Sequence, residues 1–106
     1  MIKAVVIDDE KKTHKIVGKI IAKHCKNIEI VASAENVADG VEIIQEHFPD
    51  IVFLDVNMPD GTGFDLLRKL KFYNFKLIFI TAHEENALQA IKFSAIDFIL
   101  KTDRYF

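Results

Sequence analysis

IVFLD, residues 51–55, is a short apolar run that closes on a single carboxylate. The pattern recurs: Ile2–Ile7 leads into Asp8-Asp9, Leu77–Ile80 into Thr81, and Ile96–Leu100 into Lys101. Short runs rich in Val, Ile and Phe are the signature of strands buried on both faces of a parallel sheet. In an open parallel sheet the carboxyl ends of the strands share one edge, and ligands bind there. Three carboxylates, a hydroxyl and an ammonium are therefore expected to converge on one rim. Carboxylates gathered in this way repel one another unless a cation sits among them. An all-oxygen donor set suits a hard ion such as magnesium. The pattern predicts a phosphoryl-transfer site.

Between these runs lie helix-length segments. Residues 10–25 place Thr13, Ile16, Val17, Ile20, Ile21 and His24 on one stripe of an amphipathic helix. Ile28–Ala34 reads as a second strand. Asn36 is a candidate N-cap, with Asp39 at the capping-box position, for a helix through Val37, Val41, Ile44 and Phe48 that Pro49-Asp50 ends. Met58-Pro59-Asp60-Gly61-Thr62-Gly63 is a turn-rich loop. A helix over Phe64–Lys71, a fourth over Glu84–Phe93 and a fifth strand over Ala95–Leu100 complete the order. Strands alternating with helices predict β/α units with right-handed crossovers. In the doubly wound strand order 2-1-3-4-5, Asp8-Asp9 and Asp55 face each other across the switch point. Thr81 then lies one strand further and Lys101 two.

The chain has 106 residues, half of them apolar, which suits one compact domain over residues 1–106. A formal net charge of −2 offers no global electrostatic case for nucleic acid or membrane binding. The charge is uneven, however. Residues 1–26 hold Lys3, Lys11, Lys12, Lys15, Lys19, Lys23 and Lys26 against Asp8, Asp9 and Glu10. Cys25 is the only cysteine, which excludes an internal disulfide and suits a reducing cytoplasm, with the thiol packed and inert. An N-terminus that turns acidic at Asp8 is no secretory signal. No apolar stretch approaches the ~18–20 residues needed to cross a bilayer. A soluble, cytoplasmic protein is expected.

Taken together, Asp8-Asp9, Asp55 within LDVNMPDGTGFDLL, Thr81-Ala82 and Lys101 after FIL make the chain resemble the receiver domain of two-component response regulators, over essentially its whole length. DVNMPDGTGFDLL and ITAHEENALQAIKFSAIDFILK resemble most the receivers attached to LytTR-type DNA-binding domains. The resemblance implies a flavodoxin-like five-stranded fold. It also implies that Asp55 accepts a phosphoryl group from a phosphohistidine as an acyl phosphate. Magnesium would be held by Asp9, Asp55 and the backbone carbonyl of Asn57, with Asp8 assisting. Lys101, the Thr81 hydroxyl and the Ala82 amide would meet the phosphoryl oxygens, and Phe98 would take the aromatic switch position. The implied partner is a sensor histidine kinase or phosphotransfer protein, docking on the helix over residues 10–25. Lys11, Lys15, Lys19 and Lys23 form a column there at i, i+4 spacing. DNA would be reached only through an output domain outside this chain.

Two departures stand out. Thr102 follows Lys101 where the family usually has proline in a cis peptide, so a trans bond and a less fixed Lys101 are expected. The fifth helix of receivers lies beyond Phe106. If the chain ended there, the apolar strands four and five, with Leu77, Ile78, Phe79, Ile80, Ile96, Phe98, Ile99 and Leu100, would leave a strip open to a homodimer. His83, two residues after Thr81, is expected at the mouth of the site or simply in solvent. Two rival readings stay open. One is a magnesium-dependent aspartyl phosphohydrolase, which commonly needs an Asp two residues after its nucleophile, where this chain has Asn57. The other is a degenerate receiver acting only as an interaction module. Dinucleotide binding fails, because no G-x-G-x-x-G follows the first strand.

Overall fold

A computed structural model describes residues 1–70, 73–82 and 97–101, apart from the side chain of Phe98. The elements are β1 (Ile2–Ile7), α1 (Lys11–His24), β2 (Ile28–Ala34), α2 (Val37–His47), β3 (Ile51–Asp55), β4 (Asn57–Met58), β5 (Gly61–Thr62), α3 (Gly63–Leu70), β6 (Lys76–Thr81) and β7 (Asp97–Leu100). The expected helix over Glu84–Phe93, Ala95 and Ile96 of the fifth strand, His83, and the Lys101–Thr102 peptide lie outside the described residues. So does Lys71.

Five strands form one sheet in the order β2-β1-β3-β6-β7, every neighbouring pair parallel. With β6 and β7 as the fourth and fifth strands, this is the doubly wound order the sequence predicts. Alternation along the strands divides the core in two. Val5, Ile7, Val52, Leu54, Leu77 and Phe79 pack with Val37 and Ile44 of α2 and Phe64, Leu66 and Leu67 of α3. Val6 and Ile80 turn to the other face, where Val17 and Ile21 of α1 cover them, with Phe53, Cys25 and Ile99 partly buried alongside. Cys25 is half-buried at the end of α1, as a packed thiol should be.

Three local readings need correction. His24, placed on the apolar stripe of α1, is exposed. Phe48 does not continue α2: it caps the helix in the left-handed conformation (φ 48°) and is 78% exposed. The chain must turn there into Pro49, so Phe48 leaves the buried face. The loop after Asp55 is more ordered than a string of turn residues suggests. Asn57 and Met58 pair antiparallel with Thr62 and Gly61 in a miniature hairpin. Of the apolar strip on β6 and β7, Leu77, Phe79 and Ile80 are buried and Ile78, Ile99 and Leu100 partly so. No helix among the described residues is long and apolar enough to cross a membrane.

Candidate functional site

Four strand ends build one cleft. β1 delivers Asp8 and Asp9, β3 delivers Asp55, β6 delivers Thr81 and Ala82, and β7 delivers Lys101. Asp9, Glu10, Asp55, Asn57, Thr81, Ala82 and Lys101 line a cavity of about 210 Å³. Of the residues singled out for the site from the sequence, Asp9, Asp55, Asn57, Thr81, Ala82 and Lys101 line it and Asp8 adjoins it through Lys101. His83 lies outside the described residues, and Phe98 is described only in its backbone, which pairs with Phe79 in the sheet.

The two members of the acidic pair differ. Asp8 is buried and Asp9 exposed. The Asp8 backbone N–H donates to the Ala34 carbonyl at 3.0 Å, which carries the chain past the end of β1 before it turns. Asp8 Oδ1 accepts the Glu10 N–H at 2.8 Å. Asp8 Oδ2 is buried, and among the described residues it is met by the Lys101 ammonium at 3.0 Å. His14, one turn into α1, donates from Nε2 to the Asp8 carbonyl oxygen at 2.7 Å. That bond pins the backbone of the acidic pair to the helix.

Asp55 is 4% exposed, and its Oδ2 lies 3.4 Å from Lys101 Nζ. Burial first, and then the negative charge of Asp8, push its carboxyl up to about 7 against the pull of Lys101 and the Val56 N–H. Lys101 also donates to Glu10 Oε1. Burial works against its charge, but Glu10, Asp8 and Asp55 together outweigh that cost and raise the ammonium above its usual range. Thr81 is fully buried, and its carbonyl accepts the Lys101 N–H at 2.7 Å, which continues the β6–β7 ladder through the site.

The donor set fits a hard divalent cation. Carboxylate oxygens of Asp8, Asp9 and Glu10 lie within 4.8 Å of one another. Among the described residues, Asp8, Glu10 and Asp55 share the one Lys101 ammonium. All the candidate ligands are oxygen, as magnesium prefers.

Sequence reasoning missed four residues. Glu10 is visible beside Asp8-Asp9, but its pairing with Lys101 needs the fold. His14 lies on the apolar side of α1, where a histidine carries no mark of a backbone contact. Gly63 is required by a close approach: a Cβ there would stand 2.4 Å from the Asp55 carbonyl oxygen. Asp60 caps α2 from the far loop, accepting from the Val37 N–H at 2.7 Å and the Ala38 N–H at 3.0 Å.

Comparison with known proteins agrees with this geometry. The family model of the response regulator receiver domain matches residues 4–104. An uncharacterized response regulatory protein of Vibrio cholerae is 41% identical over 92% of this chain and 38% of its own length. The sensory transduction protein LytT of Bacillus anthracis is 37% identical over 95% of this chain and 42% of its own. The chain thus spans about two-fifths of the length of these relatives. The response regulatory domain of protein mrkE from Klebsiella pneumoniae superposes with a TM-score of 0.88 at 30% identity, over 98% of this chain and 86% of that one. LytT relatives agree with the LytTR-type resemblance. A strand order, a rim of acids and a matching family model over nearly every residue converge on one assignment: the chain belongs to the receiver domains of two-component response regulators.

Proposed function

We propose that Asp55 is the phosphoacceptor of this receiver. The observation that supports this best is the meeting of a buried carboxylate, an ammonium, a hydroxyl and an acidic pair from four strand ends in one cleft. An Asp55 carboxylate oxygen attacks the phosphorus of a phosphohistidine. The P–N bond breaks, its electron pair stays on the imidazole, and an acyl phosphate forms on Asp55. Asp9, Asp55 and the Asn57 carbonyl hold magnesium, with Asp8 assisting; when bound, the ion neutralises charge on the phosphoryl oxygens. Lys101 supplies a second positive charge, and the Thr81 hydroxyl and Ala82 amide donate to the same oxygens. Two residues after Asp55 stands Asn57, which has no carboxyl proton to assist hydrolysis, so the phosphoryl group stays long enough to signal. Movement of Thr81 toward it, with Phe98 filling the space behind, gives the core two packings.

The donor is a cytoplasmic histidine kinase or phosphotransfer protein meeting the exposed lysines of α1. The output is a DNA-binding domain elsewhere in the full protein, reached through partner or dimer contacts on the β6–β7 side. Mass measurement after incubation with magnesium and acetyl phosphate tests the core of the proposal. Gain of one phosphoryl group, absent in Asp55→Asn, is the expected result. Continuous phosphate release without a phosphorylated species would favour a phosphohydrolase, and no reaction an interaction module.

A further inference from the structure

The loop from Val56 to Thr62 must hold Asn57 against the acidic pair, and its two ends are anchored differently. At the base, the Gly63 N–H donates to the Val56 carbonyl at 2.8 Å. Thr62 and Asp65 bond reciprocally, Thr62 N–H to Asp65 Oδ2 at 2.9 Å and Asp65 N–H to Thr62 Oγ1 at 3.0 Å. This fixes the loop to α3 as a capping box does. At the tip, where Pro59, Asp60 and Gly61 turn the hairpin, the tie is Asp60. Its two carboxylate oxygens take the first two N–H groups of α2, across 23 and 22 positions of sequence.

That tie has an electrostatic reason. The loop tip shares a cleft with Asp9, Glu35 and Asp39, all carboxylates. An unpaired Asp60 would be pushed away from this group, opening the loop and moving Asn57 with it. Two N–H donors at the positive end of a helix compensate its charge and hold the tip down. They also keep the Asp60 carboxyl below the usual range. Asn36, the N-cap of the same helix, bonds only locally: its Oδ1 accepts the Asp39 N–H at 2.8 Å, and its Nδ2 donates to Asp39 Oδ2 at 3.0 Å. Both side chains thus cap α2, but Asp60 alone of the two also ties the hairpin tip to the helix.

We propose that Asp60 is a positioning residue for the metal site: by clamping the hairpin tip to the N-terminus of α2, it sets where Asn57 sits relative to Asp9 and Asp55. The inference rests on the reading of Asp55, Asp9 and Asn57 as the magnesium site. It predicts that α2 and the phosphoacceptor loop move as one unit, so a contact that shifts α2 alters metal affinity without touching a ligand.

The test is Mn²⁺ binding by the folded protein without a phosphodonor, followed through the free-ion paramagnetic resonance signal, on wild type, Asp60→Ala, Asp60→Asn and Asn36→Ala. Both alanine variants lose cap bonds to α2 and should lower the melting temperature. Only Asp60→Ala should weaken Mn²⁺ binding, by roughly tenfold, the low end of what supporting residues around metal sites contribute. Asp60→Asn keeps one oxygen acceptor and should fall between, which preserves the test if the alanine variant unfolds. With acetyl phosphate, Asp60→Ala should need more magnesium yet reach the wild-type phosphorylation rate at saturation. Wild-type Mn²⁺ affinity in the Asp60 variants, or an equal loss in Asn36→Ala, would remove Asp60 from this role and leave the site reading intact. A wild-type protein that takes up neither Mn²⁺ nor a phosphoryl group would sink both.

Discussion

Lys101 and Glu10, 91 positions apart, form an ion pair at the mouth of the cleft, so the ammonium is held from outside as well as from within. The two sides of this arrangement are unequal. Glu10 is 55% exposed, whereas Asp8 and Asp55 are nearly inaccessible. Exposed pairs contribute little, so Glu10→Gln should shift stability by no more than about 1 kcal/mol. Lys101→Met removes the counter-charge that the described residues give two buried carboxylates and should destabilise by about 1–3 kcal/mol, limited by protonation of Asp55. Magnesium should then stabilise the Lys101 variant more than wild type, because the ion takes over the neutralisation that Lys101 supplied. Thermal melts with and without magnesium measure both effects. An equal metal response in the two proteins would mean that Lys101 does not share charge with the metal site.

The raised Asp55 carboxyl makes a pH prediction with a definite sign. Its pKa is about 7 in the fold against an ordinary 3.8, so between these values the folded state binds a proton that the unfolded state has lost. Metal-free stability from this group is complete below about pH 4 and declines as the pH rises through 7, by at most about 1.4 kcal/mol per unit. Asp55→Asn should lack this decline. Apparent magnesium affinity should run the other way, rising toward pH 7 and then levelling, since below it the ion must displace the proton. Denaturant titrations and metal titrations across pH 5–8 report both; a flat wild-type profile would contradict the assignment.

Much of this arrangement was legible in the chain, for a physical reason. Apolar runs that end abruptly on Asp8, Asp55, Thr81 and Lys101 give both the strands and the edge at which they end, because a parallel sheet aligns its carboxyl termini. The strand order needed the switch-point rule, and the described pairings agree with it. What the chain could not reveal depends on distance in sequence. Glu10 meets Lys101, and Asp60 meets Val37, only after the sheet has folded. The exposure of Phe48 escaped for a different reason: its apolar character fits the helix stripe, and only the left-handed turn before Pro49 takes it off that face. Local pattern fixes an element's period, not the conformation of its last residue.

The lysine column of α1 yields a third expectation. Lys11, Lys15, Lys19 and Lys23 are all exposed. Each pair at i, i+4 costs the helix roughly 0.2–0.5 kcal/mol, so a double reversal of Lys15 and Lys19 to Glu should not unfold the domain. It should slow phosphoryl transfer from the cognate kinase, with the difference shrinking as salt is added. Acetyl phosphate, which needs no docking surface, should phosphorylate both proteins at the same rate. Equal slowing with both donors would indicate damage to the site and argue against a docking role.

Gly63 and Gly18 make a paired test of how tightly the loop sits on β3. A Cβ at Gly63 would lie 2.4 Å from the Asp55 carbonyl oxygen and 3.0 Å from Leu54 Cγ. The obstructing oxygen belongs to the backbone, so no rotamer change relieves the contact. Either α3 lifts from the strand, or Asp55 shifts with the main chain that carries its carboxylate. Gly63→Ala should therefore cost about 1–3 kcal/mol, the usual range for overpacking, and should weaken metal binding along with stability. At Gly18, within α1, an added Cβ meets nothing within 4 Å. Gly18→Ala should stabilise by about 0.5–1 kcal/mol through the reduced freedom of the unfolded chain and leave metal affinity unchanged. Denaturant midpoints and Mn²⁺ titrations on the two variants give four numbers. If Gly63→Ala lost stability but bound metal as wild type does, the strain would have been absorbed by α3, and Asp55 would be less rigidly tied to this loop than the contact implies.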